Sequence, residues 1–192
     1  LTTFTFNIIR SIVFSNTKNQ TKSLFYWINV MFNRVDEDRV NEVGPDRACA
    51  EWLLKNGAYV RWKGVSELLT DYNKLPVIGQ QYYVEGIDAN DAGICDIGFE
   101  HFKGCKHVND IKLESCKYVD NSALPYLSLI KGSLKHLELI NCKSIDDEGL
   151  LSLKVLKNLE KLKIRGLIYV KKKDSVYKEL TEALPNCEID YQ

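Results

Sequence analysis

The sequence predicts an α/β fold in which about four strand–helix units stack so that their strands form one parallel sheet behind an N-terminal helical cap. The first observation is a repeated pattern of apolar residues at offsets 0, 3 and 5. The second is its regular spacing, since the four copies begin at residues 84, 108, 134 and 159, which are 24, 26 and 25 residues apart. Such a period indicates stacked units that each bury one face against the next. The copies are Val84-x-x-Ile87-x-Ala89, Val108-x-x-Ile111-x-Leu113, Leu134-x-x-Leu137-x-Leu139 and Leu159-x-x-Leu162-x-Ile164.

The period and the pattern resemble those of leucine-rich repeats, which carry an L-x-x-L-x-L core in every unit. Cys116 and Cys142 occupy the same point of the second and third copies, where the chain of a cysteine-type repeat turns inward after its strand. We interpret both as buried, small apolar residues rather than as reactive thiols. The sequence therefore predicts a short leucine-rich-repeat solenoid of about four cysteine-type units over residues 81–192. In the third unit, Asp146 is expected to cap the helix that follows the strand.

The first helix of the chain is predicted over residues 23–33. Leu24, Trp27, Ile28 and Met31 are three and four residues apart, so they share one face of that helix. This apolar stripe is either part of the core or an anchor on a membrane surface.

Two further helices are predicted before the repeats. The first covers residues 36–43 and stops at Gly44-Pro45, where Pro45 suits the first turn of the next helix. That next helix is expected to bury Trp52 and to end at Asn56-Gly57, because glycine readily adopts the left-handed conformation of a helix C-cap.

The chain between these helices and the repeats is predicted to be mixed. Residues 58–62 alternate like a strand, and Ser66 is expected to cap a short helix over residues 67–72. Together, residues 25–80 predict the N-terminal helical cap, which would cover the apolar end of the first repeat.

Residues 1–24 have the composition of a mitochondrial transit peptide. They carry Arg10, Lys18 and Lys22 and many hydroxyl side chains, and the first acidic residue of the chain is Asp36. Basic, hydroxylated segments without acid are typical of such leaders. An ordinary disordered tail is the alternative.

Composition excludes several classes of function. The 26 basic and 26 acidic side chains cancel, so no basic surplus predicts a nucleic-acid partner. No apolar run approaches the ~18 residues of a membrane-spanning helix. Phosphate loops, nucleophile elbows, zinc-protease motifs and C-x-x-C pairs are all absent from the sequence. We therefore predict a protein that is not an enzyme and has no small-molecule substrate.

The strand residues that point away from the core are mostly charged. Strand side chains alternate between two faces, so these residues should form rows across neighbouring strands, with one row alternating in sign. The rows run from acidic in the first unit to basic in the fourth, which suggests a dipolar, concave face that orients a charged protein partner. A solvated surface whose charges satisfy each other is the alternative. The candidate partner-binding residues are Asp88, Lys112, Glu114, Glu138, Lys161, Lys163 and Arg165.

Several short segments resemble the family of mitochondrial ATP synthase coupling factor B, also called subunit s. The resemblance runs from about Phe25 to the C-terminus, and its most specific part is a Gly-Pro-Asp-Arg-Ala stretch joined to Glu-Trp-Leu-Leu ahead of cysteine-type repeats. The matching segments are Asn33-Arg34-Val35-Asp36, Val43-Gly44-Pro45-Asp46-Arg47-Ala48, Glu51-Trp52-Leu53-Leu54, Asp71-Tyr72-Asn73-x-Leu75-Pro76 and Ile97-Gly98-Phe99.

The resemblance implies a peripheral protein on the matrix side of the mitochondrial inner membrane. Such a protein binds subunits of the membrane sector of ATP synthase and supports coupled proton conduction without catalysing a reaction. A similar repeat protein, an assembly factor for the membrane arm of respiratory complex I, is the alternative. A generic repeat adaptor for protein–protein interaction is a further one.

The resemblance also implies two chemical features. A Mg²⁺ ion would be held by the main-chain carbonyls of Gly57 and Asn90, where the family usually has Thr in place of Asn90. Two protein oxygens would leave most of the coordination sphere to water, which suits Mg²⁺. The family's coupling activity has been tied to a Cys-x-Cys thiol pair, but this chain has Glu114-Ser115-Cys116 there. A dithiol mechanism is therefore not expected.

Overall fold

The computed structural model describes residues 27–192, so the leader and Leu24 lie outside the described residues. Residues 27–33 are helical. Four α-helices follow: α1 (Glu37–Val43), α2 (Pro45–Lys55), α3 (Asp147–Leu151) and α4 (Lys173–Ala183). Short 3₁₀ helices complete the described chain at Tyr72–Lys74, Asp96–Phe102, Leu124–Ile130 and Ser152–Val155.

One sheet runs through the described part of the chain. Its seven strands are β1 (Tyr59–Trp62), β2 (Leu68–Leu69), β3 (Val84–Asn90), β4 (Asp110–Glu114), β5 (His136–Ile140), β6 (Lys161–Arg165) and β7 (Glu188–Tyr191). Their order is β2-β1-β3-β4-β5-β6-β7. Strands β3 to β7 are parallel, whereas β1 runs antiparallel to both β2 and β3. The predicted α/β class and the predicted parallel sheet are confirmed.

The N-terminal cap contains two strands as well as helices, and β1 confirms the strand expected over residues 58–62. The predicted helices over residues 36–43 and after Pro45 are present, and Asp36 caps α1 by accepting from the Arg39 amide. The predicted helix over residues 67–72 is wrong, because Leu68–Leu69 instead pairs with β1 at the edge of the sheet. The main-chain groups of that segment are satisfied by a neighbouring strand, which short-range helix signals do not reveal.

The core is one continuous cluster of apolar side chains that extends from α2 to α4. In β4 and β5, buried and partly exposed residues alternate, so one face of each strand joins the core. The repeated positions Ile111, Leu137 and Leu162 lie side by side in register and are almost completely buried. Side-by-side stacking is therefore what buries the repeated apolar residues.

Each of the strands β3 to β6 is followed at once by a residue with positive φ. The values are 49° at Asp91, 55° at Ser115, 54° at Asn141 and 64° at Gly166. This left-handed conformation is uncommon for residues other than glycine, and Asn and Asp tolerate it best. The same turn thus leads the chain off the sheet in all four units, at the edge where the parallel strands end.

Candidate interaction surfaces

The partly exposed face of the sheet carries the predicted rows of charge. One row joins Asp88, Lys112, Glu138 and Lys163 as direct neighbours on four strands. A second row joins Asn90, Glu114, Ile140 and Arg165 in the same register. The alternation in sign expected from the sequence is therefore built into the sheet.

Most of these charges are paired with each other. The Nζ of Lys112 lies 2.7 Å from a carboxylate oxygen of Glu114, and the Nζ of Lys163 lies 3.0 Å from one of Glu138. The Glu114 contact raises the pKa of Lys112. Within residues 27–192, Asp88 and Lys161 are the two candidate partner-binding residues that form no ion pair. A partner that used the paired residues would have to replace contacts they already make.

The sheet does not end in a basic strand. Strand β7, which the repeat pattern did not reveal, places Glu188 beside Lys161 and Asp190 beside Lys163. Asp190 also accepts a hydrogen bond of 2.9 Å from Arg165. The trend from acidic to basic extends over the four predicted units, but a further, acidic strand lies beside the basic one. This face is better described as a network of mutually satisfied charges.

The helical segment over residues 27–33 has an exposed apolar face. Trp27 is 59% exposed and Met31 is 49% exposed, while Ile28 is partly buried. Phe32, which the predicted stripe did not include, is 55% exposed. For Trp27 and Met31 the core alternative is wrong, and the membrane-surface alternative stays a prediction.

A buried asparagine fixes the position of this segment. Asn33 is fully buried, and its Oδ1 accepts hydrogen bonds of 3.0 Å from the indole of Trp52 and from the amide of Cys95. Its Nδ2 donates to the Gly93 carbonyl at 2.9 Å. A Cβ on Gly98 would lie 2.4 Å from that Oδ1, so only glycine fits there. The sequence analysis missed this role of Asn33; only the resemblance drew attention to the segment.

The two residues proposed to hold Mg²⁺ lie at the same end of the β1–β3 ladder. Tyr59 pairs with Asp88 in antiparallel register, and continuing that register by two residues sets Gly57 opposite Asn90. Both residues are exposed, and Gly57, which follows the C-cap residue Asn56, has the left-handed φ of 82°. Main-chain carbonyl oxygens are ligands of the kind that Mg²⁺ accepts. The residues present therefore fit the implied ion.

No family model matches the sequence. Three curated proteins named "ATP synthase subunit s, mitochondrial" are similar to it along most of its length. The rat protein (Rattus norvegicus) is 42% identical over 167 residues, which cover 85% of this chain and 84% of the relative. The human protein (Homo sapiens) is 40% identical over 170 residues, covering 86% and 85%. The bovine protein (Bos taurus) is 38% identical over 167 residues, covering 85% and 84%. The chain belongs to the ATP synthase subunit s family.

The cysteines of this family member are placed as the sequence analysis expected. Cys116 and Cys142 are fully buried, and their Sγ atoms contact the main-chain carbonyls of Ala89 and Leu113 on the preceding strands at 3.3 and 3.5 Å. The neighbouring Cys142 thiol and burial raise the pKa of Cys116 far above its ordinary range. A thiol in that state is a packing residue rather than a nucleophile.

Each of the three histidines has a packing or surface contact. Across residues 27–192, no three His, Cys, Asp or Glu side chains are placed to hold a metal ion together. His101 is buried and stacks on Trp52 with ring centroids 5.0 Å apart. His107 lies 3.2 Å from the Nζ of Lys63, and His136 lies 4.0 Å from Glu160. In the same part of the chain, no helix has both the length and the apolar character needed to cross a bilayer.

Proposed function

We propose that this protein is a non-catalytic component of mitochondrial ATP synthase. The single observation that carries the proposal is about 40% identity to ATP synthase subunit s, over about 85% of both chains. Similarity of this extent includes the N-terminal cap as well as the repeats, so it concerns the whole arrangement rather than a common repeat pattern.

We infer that the repeats form a short leucine-rich-repeat solenoid. The strands β3 to β6 recur at the spacing of the apolar pattern and pair in register. The same left-handed turn follows each of them, and a helical segment then packs behind the sheet. A curved stack of this kind presents an extended surface to another polypeptide.

The finer role that we propose is support of coupled proton conduction, from a peripheral position on the matrix side of the inner membrane. The protein would contact subunits of the membrane sector through the charged face of the sheet. Asp88 and Lys161 are the most available residues there, because their charges are not matched by an internal ion pair in the described chain. Complementary charges on a partner would orient it on this face.

Charge reversal on the sheet tests this contact. Replacing Lys161 by Glu should weaken binding to the membrane sector, with a larger loss at low salt, since exposed charges are screened by salt. Replacing Lys163 by Glu is the matched variant on the same strand, and it also breaks an internal ion pair. If neither change affects affinity at low salt, the charged face is not the contact surface.

We also propose that Mg²⁺ binds the main-chain carbonyls of Gly57 and Asn90. The ion would join the turn after α2 to the end of β3, and it would supply only a structural link. Magnesium should raise the melting temperature of the protein relative to a chelator-treated sample, in proportion to how much more tightly the folded state binds it. The variant Asn90→Thr is a suitable comparison with the wild type, because it keeps the main-chain carbonyl that would bind Mg²⁺. An identical melting temperature with magnesium and with chelator would contradict the site.

Affinity purification from detergent-solubilised mitochondria tests the assignment to ATP synthase. We expect subunits of the ATP synthase membrane sector to co-purify with the tagged full-length protein. Recovery of membrane-arm subunits of complex I instead would favour the assembly-factor alternative. Imaging of the same tagged protein tests both the mitochondrial location and the leader predicted over residues 1–24.

A further inference from the structure

We propose that the edge of the sheet at which the parallel strands end is a docking surface for an anionic lipid bilayer. We call it the carboxyl edge, and its defining residues are Lys117, Lys143, Ile168, Tyr169, Lys171 and Lys172. All six are exposed. A peripheral position at the membrane was proposed above, and this proposal names the surface and the partner for it. It rests on the proposed function only for that peripheral position.

The backbone builds the carboxyl edge in the same way in successive units. After the left-handed turn, one residue points into the core at Cys116, Cys142 and Leu167. The next residue is exposed in each unit, namely Lys117, Lys143 and Ile168. A row of outward side chains therefore borders the sheet, and its first two members are lysines.

The loop between β6 and α4 adds apolar side chains to this row. Ile168 is 64% exposed and Tyr169 is 57% exposed, although residues of these types usually bury most of their surface. Two adjacent exposed apolar residues at a loop tip are suited to the boundary between headgroups and acyl chains. Tyrosine in particular is favoured there, because its ring is apolar and its hydroxyl is polar.

This loop is held in place before any partner binds. The carboxylate of Asp147 accepts main-chain hydrogen bonds from Lys171 at 3.1 Å and from Lys172 at 2.9 Å. Because these hydrogen bonds come from main-chain amides, both lysine side chains are free to extend into solvent. A loop that is already ordered loses less conformational entropy on docking.

Charge favours an anionic partner at this edge. Among the described residues, Lys117, Lys143, Lys171 and Lys172 take part in no ion pair, in contrast to the paired charges on the face of the sheet. Lys117 instead lies over the ring of Tyr118, 4.9 Å from its centroid. Carboxylates are present there as well. Asp147 holds the loop, Asp91 is exposed in the equivalent turn of the first unit, and Asp146 and Glu179 lie within electrostatic range of Lys171 and Lys172. Lysines beside apolar tips match a negatively charged membrane surface.

The other end of the row also carries exposed apolar side chains. Gly93 stands at the position of Lys117 and Lys143 in the first unit, and its carbonyl accepts hydrogen bonds from Asn29 at 2.8 Å and from Asn33 at 2.9 Å. These bonds set residues 27–33 beside the carboxyl edge. The exposed side chains of that segment thus lie at one end of the lysine row and the Ile168–Tyr169 tip lies at the other. Such a spread favours a flat, extended partner over a single small ligand.

Flotation of the purified full-length protein with liposomes tests the proposal. The wild-type protein should float with vesicles of phosphatidylcholine containing one fifth anionic phospholipid, and much less with phosphatidylcholine alone. The double variant Lys117→Glu/Lys143→Glu should lower the partition coefficient by about tenfold or more, because each lysine contributes separately near an anionic surface. The matched control is Lys106→Glu/Lys131→Glu, which makes the same charge change at exposed positions on the amino side of the strands. Its partition coefficient should stay close to that of the wild type.

A second pair of variants tests the apolar tip. Ile168→Ser/Tyr169→Ser should reduce flotation even at low salt, whereas Leu129→Ser/Val155→Ser, at exposed positions on the helical side, should not. Equal melting temperatures of all variants would exclude misfolding as the cause. The proposal is overturned if the wild type does not float with anionic vesicles, or if the control variants lose as much binding as the edge variants.

The outcomes separate this proposal from the proposed function. If the protein floats as expected but ATP synthase subunits do not co-purify with it, the lipid surface stands and the assignment to ATP synthase fails. If it does not float, yet the edge variants lose ATP synthase subunits in affinity purification, the edge is a protein contact. The lipid proposal is then wrong while the function stands.

Discussion

The N-terminal part of the described chain and the repeat part are held together by different kinds of contact. In residues 27–83, unique polar groups make the connections, such as the buried Asn33 and the Glu51 carboxylate between Arg39 and Arg47. In residues 84–192, the same apolar positions recur in every unit and pack side by side. A repeated contact leaves a pattern in the sequence, whereas a unique contact does not. The comparison also predicts where single substitutions do most damage.

Asn33→Ala should have the largest effect. It would leave the Trp52 indole N–H and the Cys95 amide without a hydrogen-bond acceptor, whereas the Gly93 carbonyl would keep its hydrogen bond from Asn29. Buried groups left without a hydrogen bond cost ~1–3 kcal/mol each, so we expect a loss of about 4 kcal/mol in the free energy of unfolding. Urea denaturation measures it. Asn158→Ala, which removes one exposed hydrogen bond to Gly132, should cost well under ~1 kcal/mol.

Leu139→Ala tests the repeated spine and should have the next largest effect. Leu139 is fully buried between the equivalent residues of β4 and β6. Loss of its side chain leaves a cavity, which should cost about 3 kcal/mol in the same urea experiment. Leu129→Ala, at a position that is 44% exposed, is the control. Equal losses at the two positions would show that the spine does not hold the units together.

Glu51→Gln compares a buried ion cluster with the exposed pairs on the sheet. Burial by itself would raise the pKa of Glu51, but hydrogen bonds from Arg39 and Arg47 outweigh burial and lower the pKa below its ordinary value. The stabilisation is therefore present above the carboxyl range of an unfolded chain and is lost as the pH falls through the lowered value. At neutral pH we expect a cost of about 2 kcal/mol, with little difference from the wild type under strongly acidic conditions.

Glu138→Gln is the matched change on the sheet. The side chains of Glu138 and Lys163 are 35% and 32% exposed, so the pair should contribute at most ~1 kcal/mol. A larger loss for Glu138→Gln than for Glu51→Gln would reverse the comparison between the two regions.

At neutral pH the ionisation of His101 should have the smallest effect, because its contribution to stability appears only as a dependence on pH. Burial lowers the pKa of His101, so the folded protein disfavours the proton that an unfolded chain binds below about pH 6.5. Stability should therefore fall as the pH decreases from 6.5, by at most about 1.4 kcal/mol per pH unit from this group. His101→Phe keeps a ring on Trp52 and should flatten that slope. If the melting temperature of His101→Phe depends on pH between 5 and 7.5 as steeply as that of the wild type, the lowered pKa of His101 is not the cause of the dependence.

The same distinction explains how much could be predicted from the sequence. The strands β3 to β6 and their register follow from the apolar period, and the rows of charge follow from the register. Strand β7 was missed because Glu188 and Asp190 do not continue the leucine pattern. Strand β2 was missed because its residues pair with β1 and do not form the local helix that their sequence predicted. Pairing between distant segments is decided by tertiary contacts that propensity alone does not encode.

The candidate surfaces also have features that the sequence predicts and features that depend on the three-dimensional structure. The charged residues of the sheet could be named from periodicity, but their internal pairing depends on side-chain geometry and on β7. The carboxyl edge follows from a backbone turn whose only sequence signals are an Asp, a Ser, an Asn and a Gly in the equivalent position. Asp, Asn and Gly commonly adopt the left-handed conformation, whereas Ser does not, so the residue type at Ser115 did not predict the turn.

The central claim is that this chain supports ATP synthase without catalysing a reaction, and coupling in isolated mitochondria tests it most directly. Mitochondria depleted of the protein should make less ATP for each oxygen consumed and should leak more protons across the inner membrane. Adding back the full-length protein should restore both quantities. Unchanged ATP yield and unchanged proton leak after complete depletion would contradict the claim.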